Sequence, residues 1–228
     1  MISLFIKSYE KDYKWLKHCL YSIKKFVTGY DEVFLIIEDK NDFDMLMCWE
    51  LPSRIRIRFE RKIGDGYIFQ QYIKMNAHRY IDAEKILYLD SDCIFTKATD
   101  LSLLSGKPEM LYTPYEMVGD AICWKECTEK VMKQPIEYEF MRRNGLIYYR
   151  STLVNFEKFI GDLKSILNES RFSEFNALGA FAFIHENNKY KWIDTTKDKF
   201  GEALVEQMWS WGNIEDYQHI IQKIYDNN

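Results

Sequence analysis

Three short stretches each carry an apolar run of three to five residues unbroken by any polar one, and nothing else in the chain restricts its fold as strongly. ISLFIKS (2–8), EVFLIIED (32–39) and KILYLDSD (85–92) offer water no polar face. A strand of that kind is buried on both sides, the condition of a parallel sheet covered by helices. The segments between them have helical period. DYKWLKHCLYSIKKFV (12–27) places Trp15, Leu16, Cys19, Leu20, Ile23 and Phe26 on one stripe, with Gly29 following as a stop. A short helical segment near 42–50 is broken by Pro52, and GDGYIFQQYIKMNAHRYID (64–82) predicts a further helix. The alternation predicts an α/β fold with a central, mainly parallel sheet and helices on both faces.

RIRIRFE (54–60) alternates instead, with Ile55, Ile57 and Phe59 on one face and Arg54, Arg56 and Arg58 on the other. It reads as an edge strand whose charges discourage sheet–sheet pairing; the alternative is a stripe that follows phosphates. The second half is less regular. A strand near 109–113 and a loop-rich stretch to about 140 are expected, followed by strands near 145–151 and 189–194. Helices are expected after 151, over 172–184 with Ser173 as cap, and over 214–225. No repeat, low-complexity tract or Gly/Pro/Ser linker divides the 228 residues. One domain is expected, with 1–95 as a nucleotide-binding half and 96–228 as an acceptor-side half.

A hydrophobic fraction of 47% and an aromatic fraction of 16% supply a real core and exclude disorder. The net charge of −4, with both signs interspersed, gives no polybasic signal for nucleic acid or membrane. The apolar run before Lys7 is too short for a signal peptide, and no stretch approaches the ~18 residues a membrane span requires. Five scattered cysteines form no disulfide framework; Cys123 and Cys127 share a helix face without a second pair to complete a zinc site. A reduced, cytoplasmic protein is the plain expectation.

In a doubly covered sheet, ligands bind beyond the carboxyl ends of the strands. Ser8 and Tyr9, Glu38 and Asp39, and Asp90 and Asp92 fall at three such ends. The last pair is unusual because Ile86, Leu87 and Leu89 precede it and Ile94 and Phe95 follow. In extended backbone Asp90 and Asp92 leave on the same side and Ser91 on the other. Like charges held together against an apolar interior are costly unless water or a cation meets them. Carboxylate oxygens suit Mg²⁺ or Mn²⁺, whose shell a diphosphate completes. The alternative is that the two aspartates cap a helix or solvate a turn.

ILYLDSD resembles the DxD motif of glycosyltransferases with the GT-A fold, a Rossmann-like single domain that uses nucleotide-diphosphate sugars. RRNGLIYYRS supplies Asn144 and Gly145, similar to the glycine-containing loop of that family. FSEFNALG supplies Glu174, similar to its acidic residue opening a later helix. GYIFQQYIKM, YLDSD, SEFNALGAF, KWIDT and WSWG, spanning roughly 66–212, resemble a group of small bacterial and phage glycosyltransferase-like proteins. A C-terminal histidine ligand has no clear match: His185 lies far along the helix that Glu174 opens, and His219 sits in the last helix.

The resemblance implies a metal-dependent glycosyltransferase, with Mn²⁺ or Mg²⁺ on Asp90 and Asp92 and a UDP-sugar foremost among donors. Glu174 would be the catalytic base, which implies inversion; its alternative is a helix N-terminal acid favoured by the macrodipole. Lys74 is expected near phosphate and Gln70 or Gln71 on ribose or base, the alternative being an exposed polar helix face. Gly66 would let backbone approach the nucleotide. Ser8, Tyr9, Glu38 and Ser91 complete the donor set. Asn144, Gly145, Trp209 and Trp211 are expected on the acceptor or sugar, although the tryptophans could equally close the core. The acceptor is a glycan precursor or, as a second reading, a hydroxymethylated DNA base, served by the arginine row and by MRR (141–143). A DxD phosphatase and a non-catalytic sugar-nucleotide or partner-binding module are the rivals.

Overall fold

Strand β1 (Ile2–Lys7) is buried along its whole length and occupies the middle of the central sheet. In this computed structural model, which describes residues 1–142 and 145–226, the chain continues through α1 (Tyr13–Phe26), β2 (Val33–Ile37) and α2 (Phe43–Met47). Next come β3 (Ile55–Phe59), α3 (Gly66–Met75), β4 (Lys85–Leu89), β5 (Glu109–Pro114) and α4 (Lys125–Met132). The remaining main elements are β6 (Ile147–Tyr149), α5 (Arg150–Ile160), α6 (Glu174–His185), β7 (Lys191–Asp194) and α7 (Ile214–Asp226). The central sheet has the order β6-β4-β1-β2-β3; β1 to β4 are parallel and β6 runs antiparallel beside β4.

Strand alternation explains why these runs carry no polar face. Leu4, Ile6, Leu35, Ile37, Leu87 and Leu89 point to the side where α1 lays down Leu16, Leu20 and Ile23. Phe5, Phe34, Ile36, Ile86 and Tyr88 point to the other side, against α3, α5 and α6. Each such side chain stabilises the fold by about 1.5–3 kcal/mol, so both faces of the sheet hold the molecule together. The α/β expectation, a mainly parallel sheet with helices on both faces, is met.

Several boundaries differ from the sequence reading. The expected helix over 64–82 stops at Met75, and the chain tightens into a 3-10 turn at Ala77–Arg79. The stretch before 140, expected as loop, contains α4. The strand expected from 189 begins at Lys191, because Asn187–Lys189 form another 3-10 turn. Arg56 and Arg58 lie on β3 at the sheet edge, as the charge pattern predicted, while Arg54 precedes the strand with φ of +54°. Arg56 pairs with Glu32 at 2.9 Å and lies over Phe34; Arg58 pairs with Glu60 at 2.8 Å and lies over Tyr80.

The chain moves from β1 to β2 and β3 on one side, then crosses to place β4 on β1's other side. Strand order therefore reverses between β1 and β4, and their carboxyl ends flank the crevice that results. Among the described residues no helix is long and apolar enough to cross a membrane.

Candidate functional site

The reversal brings the residues after β1 against those after β4. Ser8 is fully buried, and its hydroxyl accepts a 2.8 Å hydrogen bond from Ser91 Oγ. That bond ties the two strand ends together. The first consequence is a correction: Ser8 lies behind the cavity wall, so it positions Ser91 and is not among the lining residues.

β4 ends at Leu89, and the chain then turns, with Cys93 N donating to Asp90 O at 3.0 Å. The extended backbone expected across Asp90 and Asp92 is thus absent, and the two carboxylates take different partners. Asp90 Oδ1 accepts from Lys74 Nζ at 2.7 Å and from Gln70 Nε2 at 3.4 Å. Asp92, itself buried, accepts from the backbone N–H of Ser210 at 2.7 Å and from Gln207 Nε2 at 3.3 Å. Both still line one cavity of about 430 Å³, together with Tyr9, Glu38, Gly66, Gln70 and Ser91 from the expected donor set.

Asp12 shares that cavity and was not among the residues the sequence singled out. It occupies the N-cap position of α1 but makes no side-chain cap. Burial pushes its carboxyl up to about 6, with Asp92 and Asp90 adding repulsion and a hydrogen bond to Ser210 opposing. Asp92 is likewise raised, by burial first and Asp90 second. Glu38 takes a hydrogen bond from Lys7, whose buried ammonium is pulled down by desolvation despite that pair.

A second cavity of about 440 Å³ adjoins the first, and Tyr67, Gln70, Asp90, Gln207 and Trp209 line both. Here Lys74 Nζ bridges Asp90 and Glu174, each at 2.7 Å. Burial opposes the Lys74 charge, and the two carboxylates outweigh it, holding the amine protonated. Burial pushes the Glu174 carboxyl up while Lys74 pulls it down. Glu174 opens α6, where Ser173 Oγ accepts from Asn176 N at 3.3 Å, the cap expected from sequence.

The alternative of an exposed polar face on α3 fails. Gln71 and Lys74 are both buried, and Gln71 Oε1 accepts from Glu174 N at 3.0 Å. Together they fasten α3 to the start of α6. Lys74 belongs to the second cavity and not to the first, so its expected place at a donor phosphate depends on the shared wall at Asp90.

Gly145 lines the second cavity with φ of +75°, a conformation that favours glycine. Asn144 lies outside the described residues. Trp209 and Trp211 do not close the core: they are 48% and 83% exposed, with ring centroids 5.9 Å apart, and both line the first cavity. Trp209 has φ of +57°, rare for a bulky residue. The loop is anchored where Glu206–Gln207 pair antiparallel with Cys93–Ile94, and Met208 N donates to Asp92 O at 2.9 Å. His185 packs on Phe159 and Phe181, and neither it nor His219 lines either cavity.

Among the described residues no three His, Cys, Asp or Glu side chains form a metal-binding group. The hard oxygens of Asp90 and Asp92 nonetheless suit Mg²⁺ or Mn²⁺, which take one or two carboxylates and fill the remaining positions with water and phosphate. Burial first and the neighbouring Asp90 carboxylate second raise Asp92, so added positive charge beside it would favour its ionised form. The residues fit the ion.

No protein-family model matches the chain, and no curated protein matches it.

Proposed function

We propose that the protein is a metal-dependent glycosyltransferase of GT-A type, moving a sugar from a nucleotide-diphosphate sugar, a UDP-sugar foremost, to an acceptor hydroxyl. One observation carries this reading. The DxD carboxylates lie at the strand-order reversal and line a cavity that shares a wall with a second cavity holding a buried glutamate. Two joined lobes with acid in each are what a donor and an acceptor need.

Asp90 and Asp92 would hold Mn²⁺ or Mg²⁺, which would supply neutralising charge for the diphosphate. Tyr9, Glu38, Gly66 and Gln70 form the remaining wall of the donor lobe. Glu174 takes the acceptor proton: burial raises its carboxyl, which makes it a better proton acceptor, and it faces the second lobe. Lys74 holds Glu174 and Asp90 in fixed relation, so base and DxD turn move as one unit. Glu174 acting as base on the acceptor implies inversion.

A second reading, a non-catalytic sugar-nucleotide-binding module, is favoured by the bond that already occupies Glu174. Turnover separates the two. Release of nucleoside diphosphate from a UDP-, GDP- or dTDP-sugar panel with Mn²⁺ is expected from the wild type. Glu174→Gln should lose about 10²–10⁴-fold in rate while keeping donor affinity. Donor binding with no release under any acceptor condition would leave the binding-module reading.

A further inference from the structure

The wall common to the two lobes has a composition of its own. Tyr67 and Trp209 are the two aromatic residues among the described ones that line both cavities; the other shared residues are Gln70, Gln207 and Asp90. Two aromatic faces, two carboxamides and a carboxylate are the groups that grip a neutral polyhydroxylated ring. Aromatic faces accept its C–H side, and amide and carboxylate groups pair with its hydroxyls.

Tyr67 is built to serve as a fixed platform. It is 45% exposed, yet its hydroxyl donates to Phe172 O at 2.7 Å. Its ring is stacked at 19° on Trp124, centroids 6.0 Å apart, and the Arg171 guanidinium covers Trp124 at 5.4 Å. An exposed aromatic held at both its tip and its ring loses little freedom when a ligand lands on it. Trp124 and Arg171 line neither cavity, so of the stack Tyr67 alone faces the lobes.

Charge decides between saccharide and nucleic acid. Among the described residues, Asp12, Glu38, Asp90, Asp92 and Glu174 line the two lobes against Lys62, Lys74 and Arg142. Lys74 is bound to two of those acids, and Arg142 to Glu139 at 2.8 Å. An acidic cleft repels a polyphosphate backbone, whose affinity comes from cations that neutralise it. The arginine row expected to serve DNA lies at the edge strand, with Arg56 and Arg58 paired to glutamates.

We propose that the junction between the lobes, walled by Tyr67, Trp209, Gln70 and Gln207, is a subsite for a neutral carbohydrate, and that the acceptor is a saccharide and not DNA. This rests on the glycosyltransferase reading for its meaning, but binding at the subsite can be measured without donor or metal.

The test is saturation-transfer NMR on the full chain, with cellobiose, maltose, lactose, diacetylchitobiose and a short single-stranded oligodeoxynucleotide. Transfer to at least one disaccharide is expected, and none to the oligonucleotide. Tyr67→Leu should weaken that binding about tenfold and Tyr67→Phe less than about twofold, because the ring and not the hydroxyl supplies the platform. If Tyr67→Leu does not fold, Gln70→Ala replaces it, with the same expected weakening. Three results overturn the proposal: no disaccharide binds, the oligonucleotide binds in preference, or the variants that fold bind as the wild type does. A protein that binds saccharide but no nucleotide would refute the glycosyltransferase reading and leave this subsite standing. The reverse result would refute the subsite alone.

Discussion

Asp12 sits where a helix cap belongs and does not cap, because its carboxylate is drawn into the cavity beside Asp90 and Asp92. Its folded pKa of about 6 lies above the ordinary value of 3.8, so the native state holds the extra proton between those values. Stability therefore falls as pH rises through that window and stays reduced above it. After discount for solvent screening the effect is on the order of 1 kcal/mol. Asp12→Asn should match the wild type in thermal melts near pH 4 and melt about 2–4 °C higher near neutrality; equal melting at both would show that the carboxylates do not repel. Lys74 carries a larger effect. Lys74→Met leaves Asp90 and Glu174 facing each other unpaired, at a cost of about 3–5 kcal/mol in denaturant unfolding. Adding Glu174→Gln should restore part of that loss, a coupling that independent sites would lack. Asp90, Asp92 and Glu174 were legible because charge beside an apolar strand or at a capped helix start stands out. Asp12 was not: an aspartate before an amphipathic helix reads as a cap, and only the fold shows it turned elsewhere.

Among the elements, α6 fixes the geometry of the second lobe. It is buried on most sides, and Gly179 is where it approaches the Tyr138–Phe140 segment, a Cβ there falling 2.3 Å from Phe140 Cβ. Asn176 Oδ1 accepts from Phe140 N at 2.9 Å and fixes the same contact. Gly179→Ala should cost about 1–3 kcal/mol by overpacking, and Ser173→Ala about 1 kcal/mol by loss of the cap, both read from denaturant midpoints at unchanged slope. Most of the elements were legible, α4 excepted. Apolar runs, the 3.6-residue period and the Ser173 cap marked strands and helices that formed. What was not legible was the partner: the polar residues of α3 could be read as facing donor or solvent, because nothing local shows that Gln71 and Lys74 are met by Glu174, a hundred residues on.

At the scale of the molecule, the order β6-β4-β1-β2-β3 gathers residues from both ends of the chain into one crevice. Tyr9 and Asp12 follow β1, the DxD turn follows β4, and the Trp209 loop returns near the C-terminal helix to bond Asp92 through Ser210. Sequence pattern could place each of these at a strand end or in a loop, but not together, since strand order is set by packing that no local window contains. The gathered charge is acidic, so the donor lobe should favour nucleotide with divalent cation over nucleotide alone. The most direct measurement is a thermal-shift panel of UDP-, GDP-, CMP- and dTDP-sugars, with and without Mn²⁺, on wild type and Asp92→Asn. Stabilisation by one nucleotide class that requires Mn²⁺ and disappears in Asp92→Asn is the expected result. No stabilisation by any nucleotide with Mn²⁺, in a wild type that melts cooperatively, would contradict the account and return Asp90 and Asp92 to holding the turn and the Trp209 loop.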